Sequence, residues 1–594
     1  MPTYILGISA LYHDAAATLL RDGVVVAASQ EERFTRLKHD ASLPVRAVDF
    51  CLEQAGIAIQ DVDWLVFYEK PLRKFERILS TAVATFPRSW RTFPRQMHAW
   101  LGDKLWLRTK LVETFGVRPD RLMFCDHHRS HAASALLASP HANAAILVAD
   151  GVGEWATTSL WRGGGDAPGL HPLGEVRWPH SLGLVYSAIT AHLGFAVNEG
   201  EYKVMGMAAF GRPTLRDRFD RLATFDADGG FSLDLDYFSW HWHPTRSATS
   251  KLEALLGPPR LPGTPFAPPG SGLDVPDAVM RESQRHADIA ASCQVWLEDA
   301  LLHIARGAKA RTGADTLCLA GGVALNAVAN HRLAAEGPFA HLWVQPAAGD
   351  AGGSLGAALW AWHCVLGNPR QERPFHITLG PRLDRGHTID LLSDLGFPFE
   401  EVGNPTQRAT DDLLDGKVLG WVEGASEWGP RSLGHRSILA DPRGSGTARR
   451  VNQRVKFRES FRPFAPAILP DALSHFDLAE AEEALARYML TAVPTRDGLS
   501  AAAPAVVHVD GTARLQVVDQ DAHPAFHDLL SSFGQATGLP MLLNTSFNLK
   551  GEPPVCGAVD ALATFTRSGI DVVYLDGVRV ERPPKRLYPT LGEP

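Results

Sequence analysis

Several things are scarce in this 594-residue chain, and each scarcity removes a class of protein. The six cysteines (Cys51, Cys125, Cys293, Cys318, Cys364 and Cys556) show no CxxC or other metal-ligand spacing, which fits reduced thiols better than a disulfide framework. No run of about 18 apolar residues occurs, so no transmembrane helix is expected. The start lacks a basic stretch and reaches His13 and Asp14 too early for a secretory signal, which makes the cytoplasm the expected compartment. Net positive charge is also missing: 58 Lys and Arg against 66 Asp and Glu leave −8, giving no global attraction to nucleic acid or anionic lipid. What is present is an ordinary mixture, 45% hydrophobic and 21% charged, longer than one core usually covers. Two or more domains are therefore expected.

The most chemical stretch is Asp126-His127-His128-Arg129-Ser130-His131. His127 and His131 are four residues apart, a spacing that on a helix places both imidazoles on one face, about 6 Å apart at Cβ. Asp150, in Ile-Leu-Val-Ala-Asp-Gly-Val-Gly, and Asp350, in Gly-Asp-Ala-Gly-Gly-Ser, each follow an apolar, strand-like run. Two imidazoles with carboxylates suit a divalent transition metal with open positions. An HxxxH pair alone is as readily two ordinary histidines; the glycine-rich surroundings of both aspartates favour a site.

The opening residues read as short strands: Tyr4 to Ile8, Ala15 to Leu20, a turn at Arg21-Asp22-Gly23, then Val24 to Ser29. A similar unit recurs at Ala144 to Gly153, leading into Trp155 to Trp161. Two such units, each followed by helical sequence, suggest a duplicated α/β domain with a nucleotide cleft between its halves; hairpins opening separate domains would give the same pattern. Gly321-Gly322 to Asn326, a strand end with two glycines before a helix, allows close backbone approach to a purine or ribose and offers free N–H groups. Leu342 to Gly353 repeats the design. Six prolines between Gly257 and Gly270 mark a rigid surface loop. A domain boundary is expected near Gly367 to Arg385, giving domains of 1–370 and 371–594. Arg88, Trp90, Arg91, Trp100, Lys104 and Trp106 interleave cations and aromatics. This reads as an amphipathic helical hairpin, a lid or acceptor-facing insertion, rather than a single-strand nucleic-acid surface.

The last two hundred residues gather cations beside glycines and hydroxyls: Arg431 and Arg436 after Gly429-Pro430, then Arg454, Lys456, Arg458 and Arg462, Arg514 after a turn, and Asn544 to Asn548 after a strand. Arginine forks fit phosphate oxygens, and lysine adds a point charge. In an acidic protein this pattern points to a small polyanion such as ATP or an acyl phosphate. Solvated charge explains Arg449 and Arg450, but not Lys456 and Arg462 flanked by Phe457, Phe461 and Phe464.

His13-Asp14, Glu31 to His39, the His127/His131 pair, Gly200-Glu-Tyr-Lys203-Val-Met-Gly-Met, Gly321 to Asn326, Gly429-Pro-Arg431, Phe461-Arg-Pro-Phe-Ala-Pro and Leu543 to Asn548 together resemble the NodU/CmcH-type O-carbamoyltransferase family. The resemblance runs in order through essentially the whole chain. It implies an N-terminal domain of the actin/sugar-kinase-like ATPase fold, similar to the tRNA threonylcarbamoyl transferase, fused to a C-terminal YrdC-like domain. It further implies that the YrdC-like domain converts carbamoyl phosphate and ATP to carbamoyl adenylate, and that the N-terminal site passes the carbamoyl group to a hydroxyl of a small acceptor of the sugar or secondary-metabolite type, as in antibiotic biosynthesis. By resemblance, His127, His131, Asp150 and Asp350 are ligands of Fe(2+) or another divalent transition metal. His13 is the general base, and Lys38 contacts the nucleotide phosphate or carbamoyl group. Gly321, Gly322 and Asn326 belong to the nucleotide site; Arg431, Lys456, Arg462, Arg514 and Ser546 contact carbamoyl phosphate and ATP with Mg(2+). Trp428 stands where the pattern has Phe, and Ser432 and His435 where it has Ala and Asn. No nucleic-acid or membrane partner is expected, and homo-oligomerisation stays open.

Two other readings stand beside this one. A threonylcarbamoyl-type tRNA-modifying enzyme would use the same two folds, but the acidic net charge weighs against it. A non-catalytic actin-fold ATP-binding module would need neither the histidine pair nor a second arginine-rich domain.

Overall fold

The computed structural model describes residues 2–102, 104–164, 169–271, 273–370 and 375–583. The expected boundary near residue 370 runs into 371–374, which lie outside the described residues. Among the described residues no helix is long and apolar enough to cross a membrane.

The N-terminal meander forms as its alternation of apolar runs and turns predicts. Strands β1 (Tyr4–Ser9), β2 (Ala16–Arg21) and β3 (Val24–Gln30) pair antiparallel. Asp22 and Gly23 both have positive φ, 50° and 80°, the two-residue turn whose twist matches that of the flanking strands. Strands β4 (Trp64–Phe67) and β5 (Leu122–Phe124) join parallel beyond β1, giving the order β3-β2-β1-β4-β5. The second unit repeats this. Strands β6 (Ala144–Ala149), β7 (Ala156–Gly163) and β8 (Leu170–Arg177) form an antiparallel meander. After a small hairpin, β9 (Ala223–Phe225) and β10 (Phe231–Leu233), strands β11 (Thr316–Ala320) and β12 (His341–Val344) join parallel beyond β6. The order β8-β7-β6-β11-β12 and the strand senses match the first sheet, so the duplicated α/β architecture is present.

The C-terminal sheet has eight strands. They are β13 (Phe399–Glu401), β14 (Leu419–Val422), β15 (Arg436–Ala440), β16 (Ala465–Ile468), β19 (Gln516–Val517), β20 (Met541–Ser546), β21 (Val572–Leu575) and β22 (Val578–Glu581); β17 (Ala492–Pro494) and β18 (Thr512–Arg514) form a separate ribbon. The order is β13-β22-β21-β14-β15-β20-β16-β19. Adjacent residues enter opposite cores, Ile438, Leu543 and Val573 on one face and Leu439, Leu542 and Val572 on the other, so both faces are covered.

One small-residue helix, Ala351–Trp360, holds the metal-site region together. It lies between β1 and the helix His127–Leu137, and its glycines allow the approach. A Cβ on Gly356 would sit 1.7 Å from the Ser130 carbonyl oxygen, and one on Gly7 would sit 2.0 Å from that of Ser354. Gly352 and Gly353 lie inside this helix, where a Cβ on Gly353 would meet the Tyr68 ring at 2.6 Å. The second glycine pair therefore serves close packing rather than a second nucleotide loop.

Candidate active site

The helix His127–Leu137 starts at the first predicted ligand, and its i, i+4 spacing brings the His127 and His131 rings to 4.8 Å between centroids. Asp150 follows β6 directly. Asp350 does not end a strand, as its sequence suggested, but precedes the first turn of the small-residue helix. The four side chains converge, with one ligand atom of each within 4.8 Å of the others. His127 Nε2 lies 3.1 Å from Asp150 Oδ2 and 3.7 Å from Asp350 Oδ1; His131 Nε2 lies 3.7 and 3.5 Å from the same atoms. His131 is fully buried, and its Nε2, like Asp350 Oδ2, has no hydrogen-bond partner among the described residues. Buried polar atoms left unmatched around two imidazoles and two carboxylates fit a divalent transition metal. Burial would lower the His131 imidazole, but Asp150 and Asp350 outweigh it and hold it up at about 9. Glu154 accepts the His127 backbone N–H at 3.0 Å and fixes the helix start.

His13 faces this cluster, its Nε2 3.8 Å from Asp350 Oδ2, while its Nδ1 pairs with Asp14 at 2.9 Å. Asp14 also meets His39 Nδ1 at 2.7 Å, so one carboxylate orients two imidazoles. Burial acts to lower His13, yet Asp350 and Asp14 hold it up at about 9. Lys38 does not pair with Asp40; its Nζ lies 3.1 Å from Glu199 and over the Tyr202 ring at 5.8 Å.

Of the glycine pair, Gly321 is packed against β6: a Cβ there would sit 2.2 Å from the Ala149 carbonyl oxygen, and its φ is +92°. The Gly322 N–H donates to Asp150 Oδ1 at 3.2 Å. The pair thus positions a predicted metal ligand. Asn326 caps the following helix through Ala329 N–H and exchanges two 3.0 Å amide hydrogen bonds with Gln294.

The predicted cation residues of the C-terminal region also come together. Lys456, on a widened helical turn, is 4% exposed and donates to Ser546 O and Oγ at 2.6 and 3.2 Å and to Asn548 O and Oδ1 at 2.9 and 2.5 Å. Burial first, and then Arg458, Arg462 and Lys38, push its ammonium well below the usual lysine range. Arg514 is lowered by burial and then by Arg431, Arg458 and Arg462, and Arg431 is pushed down to about 10 by burial and Arg462. Guanidinium groups crowded this closely, with the Nε atoms of Arg431 and Arg514 buried and unpaired among the described residues, have the charge and donors that suit an anion. Arg436 is not part of it. Fully buried, it ties together the carbonyls of Pro381, Gly424 and Cys556.

The two groups meet across the chain. Arg431 reaches the Leu325 carbonyl at 3.5 Å, Arg33 donates to Gly429 O at 2.8 Å, and Arg462 lies over Tyr202 at 4.5 Å. Tyr202 thus stands between Lys38 and Arg462, while Glu459 draws in Lys203, Lys550 and Arg462 at 3.3, 3.4 and 3.8 Å. Sequence reasoning quoted Tyr202, Asp14, His39 and Arg458 inside motifs without giving them site roles, and left out Glu199 and Glu459.

An α/β fold that brings a histidine–aspartate cluster and an arginine-rich second region into one chain has the acid–base and cationic side chains of an enzyme. The chain belongs to the carbamoyltransferase family and is a transferase: the carbamoyltransferase N-terminus model matches residues 4–359, and the carbamoyltransferase C-terminus model matches 410–582. An uncharacterized protein of Synechocystis sp. is 43% identical, the match covering 97% of this chain and 96% of that one. Nodulation protein NolNO of Sinorhizobium fredii is 38% identical over 94% of this chain and 77% of its own. The 3'-hydroxymethylcephem-O-carbamoyltransferase of Amycolatopsis lactamdurans is 34% identical over 40% of this chain and 43% of its own.

Proposed function

We propose that the protein is an ATP-dependent O-carbamoyltransferase working in two half-reactions, with domains 1–370, of the actin/sugar-kinase-like type, and 371–594, of the YrdC-like type. At the arginine cluster, water releases phosphate from carbamoyl phosphate. The carbamate oxygen then attacks the α-phosphorus of ATP, forming carbamoyl adenylate and expelling pyrophosphate. Arg431, Lys456, Arg462 and Arg514 hold the anions, with Ser546 oriented by Lys456, and Mg(2+) accompanies ATP. The adenylate passes Tyr202 and Lys38 to the N-terminal site. There the hydroxyl oxygen of a small acceptor attacks the carbamoyl carbon, AMP leaves, and His13 Nε2, in the neutral form that gains weight once Asp350 is engaged as a ligand and no longer holds the ring protonated, takes the hydroxyl proton while Asp14 fixes the ring. His127, His131, Asp150 and Asp350 would hold Fe(2+) or a similar metal, which when bound supplies Lewis-acid polarisation of a phosphoryl or carbamoyl oxygen. Gly321, Gly322 and Asn326 are the residues we assign to binding the nucleotide at this site.

The single observation that carries the reading is the pairing of two chemically different sites, a histidine–aspartate cluster and a cation cluster, joined through Lys38, Tyr202 and Arg462. An anhydride as labile as carbamoyl adenylate gains from a short path closed to water. The test is incubation with ATP, isotopically labelled carbamoyl phosphate and pools of hydroxylated metabolites, read by mass spectrometry. A labelled product heavier by one carbamoyl group is expected; label found only in free carbamate and bicarbonate contradicts the reading.

A further inference from the structure

A cavity of about 140 Å³ is walled by residues between Arg77 and Gln96 on one side and by Trp178 and residues 240–243 on the other. Its walls include Arg77, Trp178, Trp240, His241 and Trp242, with Gln96 on the insertion side. This volume holds about one six-membered ring. Trp178 Nε1 and His241 Nδ1, in residues of its walls, are buried and have no hydrogen-bond partner among the described residues.

The cavity backs onto the transfer site. Arg77 Nη1 donates to Gly153 O at 2.7 Å, and a Cβ on Gly153 would lie 3.0 Å from the His127 ring. Arg77 also acts electrostatically on Tyr12, whose ring lies 4.5 Å from that of His13.

The lining specifies a chemistry. Three indoles offer apolar surface and Gln96 offers hydrogen bonds, the combination that receives a hydroxylated ring. No Asp or Glu is among the lining residues, whereas the Arg77 guanidinium lies 4.9 Å over Trp178 and that of Arg88 lies 5.6 Å over Trp242. A cationic ligand would face the Arg77 guanidinium with no lining carboxylate to pair with. Resting on the carbamoyl-transfer reading, we infer that this cavity is the acceptor-selecting site, and that it takes a neutral or anionic hydroxylated ring and rejects an amino-substituted one.

The full-length protein is titrated with methyl β-glucopyranoside, glucuronate and glucosamine, and binding is read by saturation-transfer NMR. The first two bind and glucosamine binds at least about tenfold more weakly. Trp242→Ala weakens binding of the neutral glycoside by about tenfold, Trp242→Phe by less than about threefold, and Leu395→Ala, an exposed side chain of the C-terminal region outside the cavity, leaves it unchanged. No binding by the wild-type protein, glucosamine binding as tightly as the glycoside, or equal effects of Trp242→Ala and Leu395→Ala would each overturn the inference. Binding is measured without ATP or carbamoyl phosphate, so its failure leaves the transfer reading standing, and failure of transfer leaves the binding result intact.

Discussion

Lys456 illustrates what single residues do here. A buried ammonium beside three further cations is held by four oxygens of Ser546 and Asn548, which fixes it as a positive charge at the centre of the proposed anion site. Lys456→Ala is expected to cut carbamoyl-phosphate-dependent pyrophosphate release by about 10²-fold or more, measured with a coupled pyrophosphate assay. His131→Ala should separate the two sites the other way, keeping pyrophosphate release while lowering product formation by on the order of 10²-fold. Stability rests on other residues. Asp412 is fully buried and accepts from Arg579 at 2.7 Å, Lys417 at 2.6 Å and Tyr574 at 2.7 Å. Burial would raise its carboxyl, but these donors bring it down to about 2. A carboxyl lowered on folding stabilises the fold above its unfolded pKa of about 4 and loses that contribution as pH falls through its folded value. Asp412→Asn should therefore cost about 3 kcal/mol near neutral pH and flatten the acid limb of stability, followed by urea unfolding against pH.

At the scale of elements, the small-residue helix Ala351–Trp360 couples packing to chemistry, because Asp350 precedes it and Ser130, beside His131, packs on it. Gly356→Ala places a methyl against fixed backbone at 1.7 Å and is expected to cost about 1–3 kcal/mol and weaken metal uptake, read by thermal unfolding and metal titration. Gly403→Ala, which meets nothing within 4 Å, is the matched neutral change. The same helix shows where sequence reading ran out. The meanders were legible because apolar alternation and an Asp22-Gly23 turn are local signals, and the histidine pair because i, i+4 spacing is fixed by helix geometry. Gly352-Gly353 was misread because glycine permits a backbone to approach a ligand or another helix equally well, and only tertiary structure decides which. The order of the eight-stranded sheet depends on pairings between strands far apart in sequence, such as β14 with β21, for which no local pattern exists.

For the whole molecule, the central claim is that one chain makes an activated carbamoyl group in its C-terminal part and uses it in its N-terminal part. The cation cluster could be anticipated from its glycine-flanked arginines. Its connection to the metal cluster could not, since Tyr202 meets Arg462 only in the folded chain. Tyr202→Ala should open that connection: AMP formed per carbamoylated product rises above one as the adenylate escapes to water, measured by chromatography of both. The most direct measurement is pyrophosphate release from ATP by the purified full-length protein, with and without carbamoyl phosphate and with no acceptor present. Release that requires carbamoyl phosphate is the predicted result; release of inorganic phosphate alone, or pyrophosphate formed equally well without carbamoyl phosphate, would contradict the account.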